Sequence, residues 1–510
     1  MLSKTVLKII FSRKIVIFLL VLVQLAAIFI GLSIFSTWRA FYVCAVVLSV
    51  LGVVAVVNSD KNPAYKTAWI LPIMAFPVFG IAAYLYVVFN PGILLLRKLT
   101  ARSEKITRAV IQRDETVYEN LPGEFSGLAN YAYDCGNCPA WECEDIKYYP
   151  EGADFFEDFL DDLRSAKKYI LLEFFIINEG RMWNKTLEVL REKQAEGVDI
   201  KIMYDGIGTQ LILPTRYDSR LKKMGFEVRI FNPLKPFLST IQNNRDHRKI
   251  VVIDGIAAYT GGVNIADEYI GEKIRFGEWK DVAVRFSGRA VKNFTAAFFQ
   301  LWHIGDNTNW SENFNMFLPE RKTPEKAPEG YIIPYSDTPV DYEHVAELVY
   351  IDIINRAEHY LYISTPYLVL SPELELALEF AAKRGVDIKL LIPGIPDKKY
   401  MLTLAQSFFE GLLKNGVKIF EFSPGFNHAK IFVSDDKFAA VGSVNLDYRS
   451  LYLHYECGLL IYSNPVIKNI KRDMVKTLAR SREITQDTVA AYPVYRKISA
   501  AVLKMFAPLL

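Results

Sequence analysis

The sequence predicts an α/β protein made of two similar halves and preceded by a hydrophobic N-terminal region. Three observations lead to this prediction: three long uncharged runs open the chain, strands and helices alternate in a diverged internal repeat, and one polar motif occurs once in each half. Its 510 residues allow two or three domains. Alternating strands and helices indicate layered α/β domains.

The N-terminal region is expected to be helical and embedded in a membrane. Residues 15–35, 40–58 and 67–96 contain no charged side chain. A membrane-spanning helix needs about 20 apolar residues. The third run contains Pro72, Pro77 and Pro91, so it is the one expected to be irregular. We therefore expect residues 1–98 to form the transmembrane region of a multi-pass cell-membrane protein.

The charges that flank these runs leave the orientation open. Four basic residues precede the first run and five follow the third; they are Lys4, Lys8, Arg13 and Lys14, then Arg97, Lys98, Arg102, Lys105 and Arg108. Basic flanks favour the cytoplasmic side, but three full spans cannot place both flanks there. The cytoplasmic side is favoured for the catalytic region. A net charge of +3 does not predict a nucleic-acid surface.

The remaining chain divides by composition and repetition. Residues 99–146 are expected to form a connector, 147–325 the first domain, 326–484 the second domain and 485–510 an amphipathic tail. Residues 166–173 resemble 357–364, and 197–202 resemble 385–390. The tail suits a helix at a membrane surface or one packed on the core. Cys135, Cys138 and Cys143 lack a nearby fourth ligand, so no zinc site is expected.

The repeated motif has the form His-x-Lys-x4-Asp. Its first copy contains His247, Lys249 and Asp254, and its second contains His428, Lys430 and Asp435. A Gly-rich turn follows each copy and places an Asn seventeen residues after the His, at Asn264 and Asn445. The apolar runs within the motifs indicate buried strands. His and Lys, two apart on a strand, would project from the same face.

These residue types suit phosphodiester chemistry. One His can attack phosphorus while the other donates a proton to the leaving alcohol. Lys249, Lys430 and the two Asn amides can bind the phosphate oxygens. Asp254 and Asp435 complete the candidate catalytic set, although a strand end also suits an Asx turn. No metal or other cofactor is expected.

The paired motif resembles the phospholipase D superfamily, and the flanking residues resemble bacterial cardiolipin synthases. The similarity is carried by residues 243–249, 260–269 and 279–281, the second motif and the hydrophobic N-terminus. It implies two phospholipase D-like α/β sandwich domains related by a pseudo-two-fold axis. It also implies a carboxylate downstream of each motif that orients a His, and Asp281 and Glu456 match these positions.

The resemblance implies phosphatidyl transfer between two phosphatidylglycerol molecules, which gives cardiolipin and glycerol through a phosphatidyl-histidine. Many superfamily members use the N-terminal His as nucleophile, so His247 is expected to attack and His428 to act as acid. Two alternatives stay open, a phospholipase D-type hydrolase and a membrane-tethered nuclease. The expected partners are phosphatidylglycerol and membrane lipid, without nucleic acid, and the sequence leaves the oligomeric state open.

Overall fold

The computed structural model describes residues 39–59, 62–88, 91–210, 212–233, 240–306, 309–319 and 327–509. The chain forms two compact units. The first contains residues 1–95, 235–242 and 505–510, and the second contains residues 96–234 and 243–504. Both motifs lie in the second unit.

The described part of the N-terminal region is mainly helical. The first uncharged run lies outside the described residues. The second forms α1 (Arg39–Val57). The third is broken into α2 (Pro63–Ala75), α3 (Pro77–Val88) and the start of α4 (Pro91–Val110). A proline opens each of these helices, as expected for a residue that lacks the amide hydrogen needed inside a helix.

The described residues include one segment with the length and hydropathy to cross a bilayer, Pro77–Val110. The apolar part of α1, Val43–Val57, is shorter than a span requires. A core helix would pass the same test of length and composition. The 67–96 run is interrupted at Phe76, before Pro77, as its prolines predict, and the number of membrane spans stays a prediction.

The first half of the second unit has the following elements in chain order: β2 (Asp145–Tyr149), α7 (Gly152–Ser165), β3 (Tyr169–Phe174), α8 (Arg181–Ala195), β4 (Asp199–Asp205), α9 (Gly206–Gln210), α10 (Tyr217–Lys223), β5 (Glu227–Phe231), β6 (Arg245–Asp246), β7 (Ile250–Ile253), β8 (Ala257–Gly261), β9 (Glu278–Lys280), β10 (Ala283–Ser287) and α11 (Val291–Trp302). Short 3-10 helices at Asp267–Ile270 and Trp310–Phe317 lie within and after this half.

The second half repeats this series with β11 (Tyr331–Asp337), α12 (Val345–Arg356), β12 (Tyr360–Ser364), α13 (Pro372–Lys383), β13 (Asp387–Pro393), α14 (Lys399–Lys414), β14 (Lys418–Phe422), β15 (Gly425–Asn427), β16 (Ile431–Ser434), β17 (Phe438–Gly442), α15 (Tyr448–Tyr452), β18 (His454–Tyr462), α16 (Val466–Ala479) and β19 (Ser481–Ile484).

Each half forms one sheet, and the two sheets have the same strand order. The first sheet runs β2-β10-β8-β7-β3-β4-β5, and the second contains β11-β18-β17-β16-β12-β13-β14. In both, the last three strands are parallel neighbours and the others pair antiparallel. The repeat in sequence is thus a repeat of topology, and the predicted α/β class is confirmed.

The strands that follow the motifs are buried on both faces. In β7, Ile250 and Val252 belong to a core that both sheets share with α11 and α16. The alternate residues Val251 and Ile253 pack instead with the outer helices of the first half. This two-residue alternation explains the uninterrupted apolar run.

The motif aspartates stabilise the fold. Asp254 and Asp435 have positive φ values of 54° and 52° in the turns after β7 and β16. The Asp254 carboxylate accepts hydrogen bonds from the backbone N–H groups of 167, 168 and 169, and Asp435 accepts those of 358, 359 and 360. Each lies beyond a four-residue strand from its motif Lys. These contacts give both aspartates a structural role, and their place in the catalytic set stays a prediction.

Residues 99–146, the expected connector, contain regular secondary structure. They contain most of α4, then α5 (Glu115–Glu119), α6 (Gly123–Asp134) and β1 (Trp141–Glu142). Phe125 of α6 stacks on Tyr462 of β18 with ring centroids 4.5 Å apart. Strand β1 pairs with β11, so the segment extends the second sheet. Charged residues around these apolar positions hid the pattern in the sequence.

The tail contains α17 (Gln486–Ala490) and α18 (Val494–Phe506). Ala500 of α18 is buried, whereas Val494, Tyr495 and Ile498 are exposed. The Arg496 guanidinium donates to the Gln406 amide of α14 at 2.7 Å, so this helix has a packed side. Its location at a membrane surface stays a prediction.

Candidate active site

Two short parallel strand pairs bring the motifs to residues of the opposite half. Strand β6 precedes His247 and pairs with β18, and β15 precedes His428 and pairs with β9. The backbone N–H of His247 donates to the Tyr455 carbonyl at 2.9 Å, and that of His428 donates to the Lys280 carbonyl at 2.7 Å. Each motif His is therefore fixed beside the residue that precedes a candidate orienting carboxylate.

Glu456 holds the imidazole of His247. The Nδ1 atom of His247 lies 2.9 Å and 3.0 Å from the two carboxylate oxygens of Glu456. The Ser450 hydroxyl donates to Glu456 Oε1 at 2.7 Å, and the Ser443 hydroxyl donates to Oε2. Glu456 is fully buried. A buried carboxylate with these partners fixes the ring orientation and favours a proton on Nδ1.

Asp281 holds the imidazole of His428 in the same way. Its Oδ2 atom lies 2.6 Å from His428 Nδ1. A Cβ atom at Gly262 would collide with the Asp281 carboxylate. This explains why the turn after β8 has glycine at this position. In the other half, Ser443 follows Gly442 at the corresponding position and donates to Glu456. The two candidate carboxylates thus each contact the His of the other half, a crossing that the sequence did not show.

Both motif lysines are buried beside the histidines. The Lys249 ammonium donates to the His247 carbonyl, and the Lys430 ammonium donates to the His428 carbonyl. Lys249 and Lys430 are 2% and 1% exposed. His and Lys lie on the segment leading into β7 or β16 rather than within a strand, and Lys folds back over the His backbone. A buried ammonium is costly unless an anion accompanies it, which suits a phosphate site.

Burial and the charges of both motifs together set the pKa values of the motif side chains. Burial lowers the pKa of His247 well below its ordinary value, and the charges of Lys249 and Lys430 lower it further. Burial, followed by the Lys430 charge, lowers the pKa of His428 to about 4 despite the opposing effect of Asp281. Burial also lowers the pKa of Lys249 to about 8 and that of Lys430 to about 7. Without an anion, the site therefore favours neutral histidines.

The two motif asparagines differ in their contacts. Asn264 Oδ1 accepts the Ile176 N–H at 3.0 Å, and its Nδ2 donates to the Tyr269 hydroxyl at 2.7 Å. Asn445 is also buried, but its Oδ1 has no hydrogen-bond partner within the described part of the chain. Asn264 thus supports the loop after β8, and phosphate binding by both amides stays a prediction.

His454 was not identified from the sequence. Its Nδ1 lies 3.7 Å from Glu456 Oε1, and its ring centroid lies 5.6 Å from that of His247. Burial lowers its pKa to about 3. Trp279 occupies the matching place near His428, also with ring centroids 5.6 Å apart. The signal was available, because His454 stands two residues before Glu456 as Trp279 stands before Asp281.

His247, His454 and Glu456 form the one group in the described ranges whose ligand atoms could hold a metal ion. The direct pairing of His247 with Glu456 already accounts for two of its members. Cys135, Cys138 and Cys143 are not part of this group.

A buried group of charged side chains includes Arg248, the residue between His247 and Lys249 of the first motif. The Arg248 guanidinium donates to Glu173 at 2.6 Å and lies 3.5 Å from Asp246. The second half has a neutral counterpart, in which the Asn427 amide donates to the Ser364 hydroxyl at 2.7 Å. The buried residues at these corresponding positions are therefore charged in the first half and uncharged in the second.

Comparison with known proteins assigns this site to a family. The family described as "Cardiolipin synthase, PLD-like domain" matches residues 159–302 and 350–478, which is more than half of the chain. The chain belongs to the cardiolipin synthase family of the phospholipase D superfamily. It is therefore an enzyme of the phosphatidyltransferase type. Residues 47–87 match a second family, "Phospholipase_D-nuclease N-terminal".

Individual relatives of this cardiolipin synthase family member extend over most of its length. It is 43% identical to an uncharacterized protein of Streptococcus mutans, over 90% of this chain and 99% of the relative. It is 30% identical to a cardiolipin synthase of Clostridium perfringens, over 88% and 95%. It is 28% identical to a cardiolipin synthase of Alkalihalophilus pseudofirmus, over 95% and 97%.

The fold is shared with a solved structure, a phosphatidylserine synthase of Haemophilus influenzae. The TM-score is 0.58 at 14% identity, over 75% of this chain and all of that one. Two phospholipase D-like halves are therefore the architecture of this protein.

Proposed function

We propose that this enzyme joins two phosphatidylglycerol molecules into cardiolipin and releases glycerol. One observation carries the proposal: two buried histidines are each held at Nδ1 by a carboxylate from the opposite half. Nε2 is then the ring nitrogen that each His presents to a substrate. Paired imidazoles of this kind can supply a nucleophile and a proton donor for one phosphodiester.

In the first step, we propose that Nε2 of His247 attacks phosphorus and the bond from phosphorus to the glycerol oxygen breaks. His428 gives its Nε2 proton to that oxygen, and glycerol leaves. The bound phosphodiester anion raises the pKa of His428, so the substrate itself provides the charge that a protonated imidazole needs. Lys249 and Lys430 then neutralise the remaining phosphate oxygens.

In the second step, the terminal hydroxyl of another phosphatidylglycerol attacks the phosphatidyl-histidine. His428 now accepts the hydroxyl proton, the oxygen–phosphorus bond forms and the phosphorus–nitrogen bond to His247 breaks. Both histidines return to their starting states. One phosphodiester replaces another, so the transfer is close to thermoneutral and added glycerol should reverse it.

We also propose a pseudo-two-fold axis between the halves and attachment to the cell membrane through the N-terminal helices. The common strand order and the reciprocal carboxylates support the first. Predominantly apolar helices followed by the basic stretch of α4 support the second, with the catalytic region on the cytoplasmic side. Nucleic acid is not proposed as a substrate, because the whole-chain charge is nearly balanced.

The product test is decisive. Purified full-length protein incubated with head-group-labelled phosphatidylglycerol should form one glycerol per cardiolipin, and added glycerol should lower the cardiolipin yield. The measurement is separation of cardiolipin, phosphatidic acid and glycerol over time. Phosphatidic acid as the main product would instead establish a hydrolase. Cleavage of oligonucleotides with untouched lipid would establish the nuclease alternative.

The buried lysines predict the pH dependence of the transfer. Because burial lowers the pKa of Lys430 to about 7 and of Lys249 to about 8, rising pH removes their charges in the free enzyme. We expect kcat/KM to fall as pH rises above about 7 to 8, since the neutral amines bind phosphate less well. No fall is expected near pH 6.5 on the acid side, because burial lowers the pKa of His247, the group that must be unprotonated to attack, well below its ordinary value. A kcat/KM that stays constant up to pH 9 would contradict this.

A further inference from the structure

Two exposed loops near the site combine apolar and basic side chains. The first contains residues 271–277, before β9, and the second contains residues 394–400, which follow β13 and include the first two residues of α14. We call them the rim loops. Their side chains at issue are Lys273, Ile274, Arg275 and Phe276 in the first loop and Ile395, Lys398, Lys399 and Tyr400 in the second.

The rim loops meet at β15, the strand that precedes His428. The Ile395 N–H donates to the Gly425 carbonyl at 3.1 Å, and Gly425 begins β15. Gly277 forms a backbone bridge with the same glycine. A Cβ atom at Gly277 would lie 3.2 Å from the Ile395 side chain, so the loops are in direct van der Waals proximity. The two loops therefore form one continuous surface.

That surface connects directly to the reacting groups. The Phe276 and Phe426 ring centroids are 6.2 Å apart, and the Phe426 and His428 centroids are 5.7 Å apart. From the second loop, the charge of Lys398 acts on His247. The rim loops thus lie at an edge of the catalytic site rather than on a remote face.

The exposure of the apolar side chains indicates what this edge contacts. Ile274 is 88% exposed, Ile395 42% and Tyr400 46%. A single exposed isoleucine is ordinary on a protein surface. The two loops together carry four basic residues against the acidic Glu272 and Asp397. Apolar side chains beside an excess of basic ones at the edge of one catalytic site match a lipid interface, where acyl chains and phosphates lie a few ångströms apart.

We propose that the rim loops dock the catalytic site onto an anionic lipid bilayer. Ile274 and Ile395 enter the boundary between head groups and acyl chains, and Lys273 and Lys399 contact lipid phosphates. The inference rests on the proposed function only in taking the substrate to be a bilayer lipid. Docking would present a lipid phosphodiester to the histidines without its leaving the membrane.

The first test compares substrate forms. The double variant Ile274→Ser/Ile395→Ser is assayed as full-length protein, on phosphatidylglycerol in reconstituted vesicles and on monomeric short-chain phosphatidylglycerol in neutral detergent. We expect the ratio of vesicle to monomer activity to fall at least tenfold relative to wild type. The matched control is Ile256→Ser, which changes a 52% exposed isoleucine in the turn after Asp254, at the far end of β7. The control ratio should not change.

The second test detects insertion without turnover. A tryptophan placed by Ile274→Trp should be quenched by brominated phospholipid in vesicles that contain phosphatidylglycerol, beyond the quenching of the wild-type protein. Ile256→Trp should show no added quenching.

An unquenched Trp at position 274, or equal loss on vesicle and monomeric substrates, would overturn the docking proposal. If wild type makes cardiolipin from neither substrate, the proposed function fails, while the quenching result still decides whether the loops dock.

Discussion

Replacement of either motif histidine by alanine should reduce phosphatidyl transfer by about a thousandfold or more. His247→Ala removes the proposed nucleophile, and His428→Ala removes the group that protonates the leaving glycerol. Each loss blocks the same two-step reaction, so the double variant should be little worse than either single one. The measurement is the initial rate of cardiolipin formation from labelled phosphatidylglycerol, with protein folding checked by thermal unfolding.

The chain offers a matched control for this experiment. His359 is exposed, and it stands beside β12, far along the strand direction from the catalytic residues. His359→Ala should leave the rate unchanged. If either catalytic variant kept more than about a tenth of wild-type activity, the loss of transition-state stabilisation would be under about 1.4 kcal/mol, too small for a covalent nucleophile or its acid.

The repeat explains why much of the fold was predictable. Residues 250–253 and 431–433 are uninterrupted apolar runs because each strand is buried on both faces, and such runs identify strands directly. A motif that occurs twice also predicts a shared site, since one copy supplies only one His and one Lys. The sequence pattern was therefore sufficient to predict features, such as buried strands, that depend on residues close together in the chain.

The contacts that the sequence did not reveal are long-range. Glu456 reaches His247 across 209 positions, and Asp281 reaches His428 across 147. Either carboxylate could have served the His of its own half, and only the β6–β18 and β9–β15 pairs decide the crossing.

The motif aspartates are easy to find in the sequence, but their contacts are not. Asp254 and Asp435 belong to the conspicuous pattern, yet their partners are backbone N–H groups near residue 168 or 359, which a side-chain pattern cannot show.

Exchange of the crossed carboxylates for amides should have the next largest effect. Each carboxylate accepts a hydrogen bond from an Nδ1–H group. Glu456 thereby keeps the Nε2 lone pair of His247 free to attack, and Asp281 stabilises the protonated His428 that donates from Nε2. In Asp281→Asn or Glu456→Gln, the side-chain NH₂ can donate to Nδ1 and favour the wrong tautomer. We expect kcat to fall by about 10² to 10⁴, the range set by loss of an orienting carboxylate in a hydrolytic triad. KM should change little, because neither carboxylate touches the lipid in this mechanism.

Asp254→Asn is the matched control for these amide exchanges. It also neutralises a buried motif carboxylate, but one that accepts three backbone N–H bonds in a turn. We expect it to lower the midpoint of thermal unfolding while the folded fraction keeps its kcat. The pair of experiments therefore separates two roles that the motif pattern joins. A rise in KM without loss of kcat in Glu456→Gln would mean that Glu456 binds substrate, and loss of kcat in stable Asp254→Asn would keep that residue in the catalytic set.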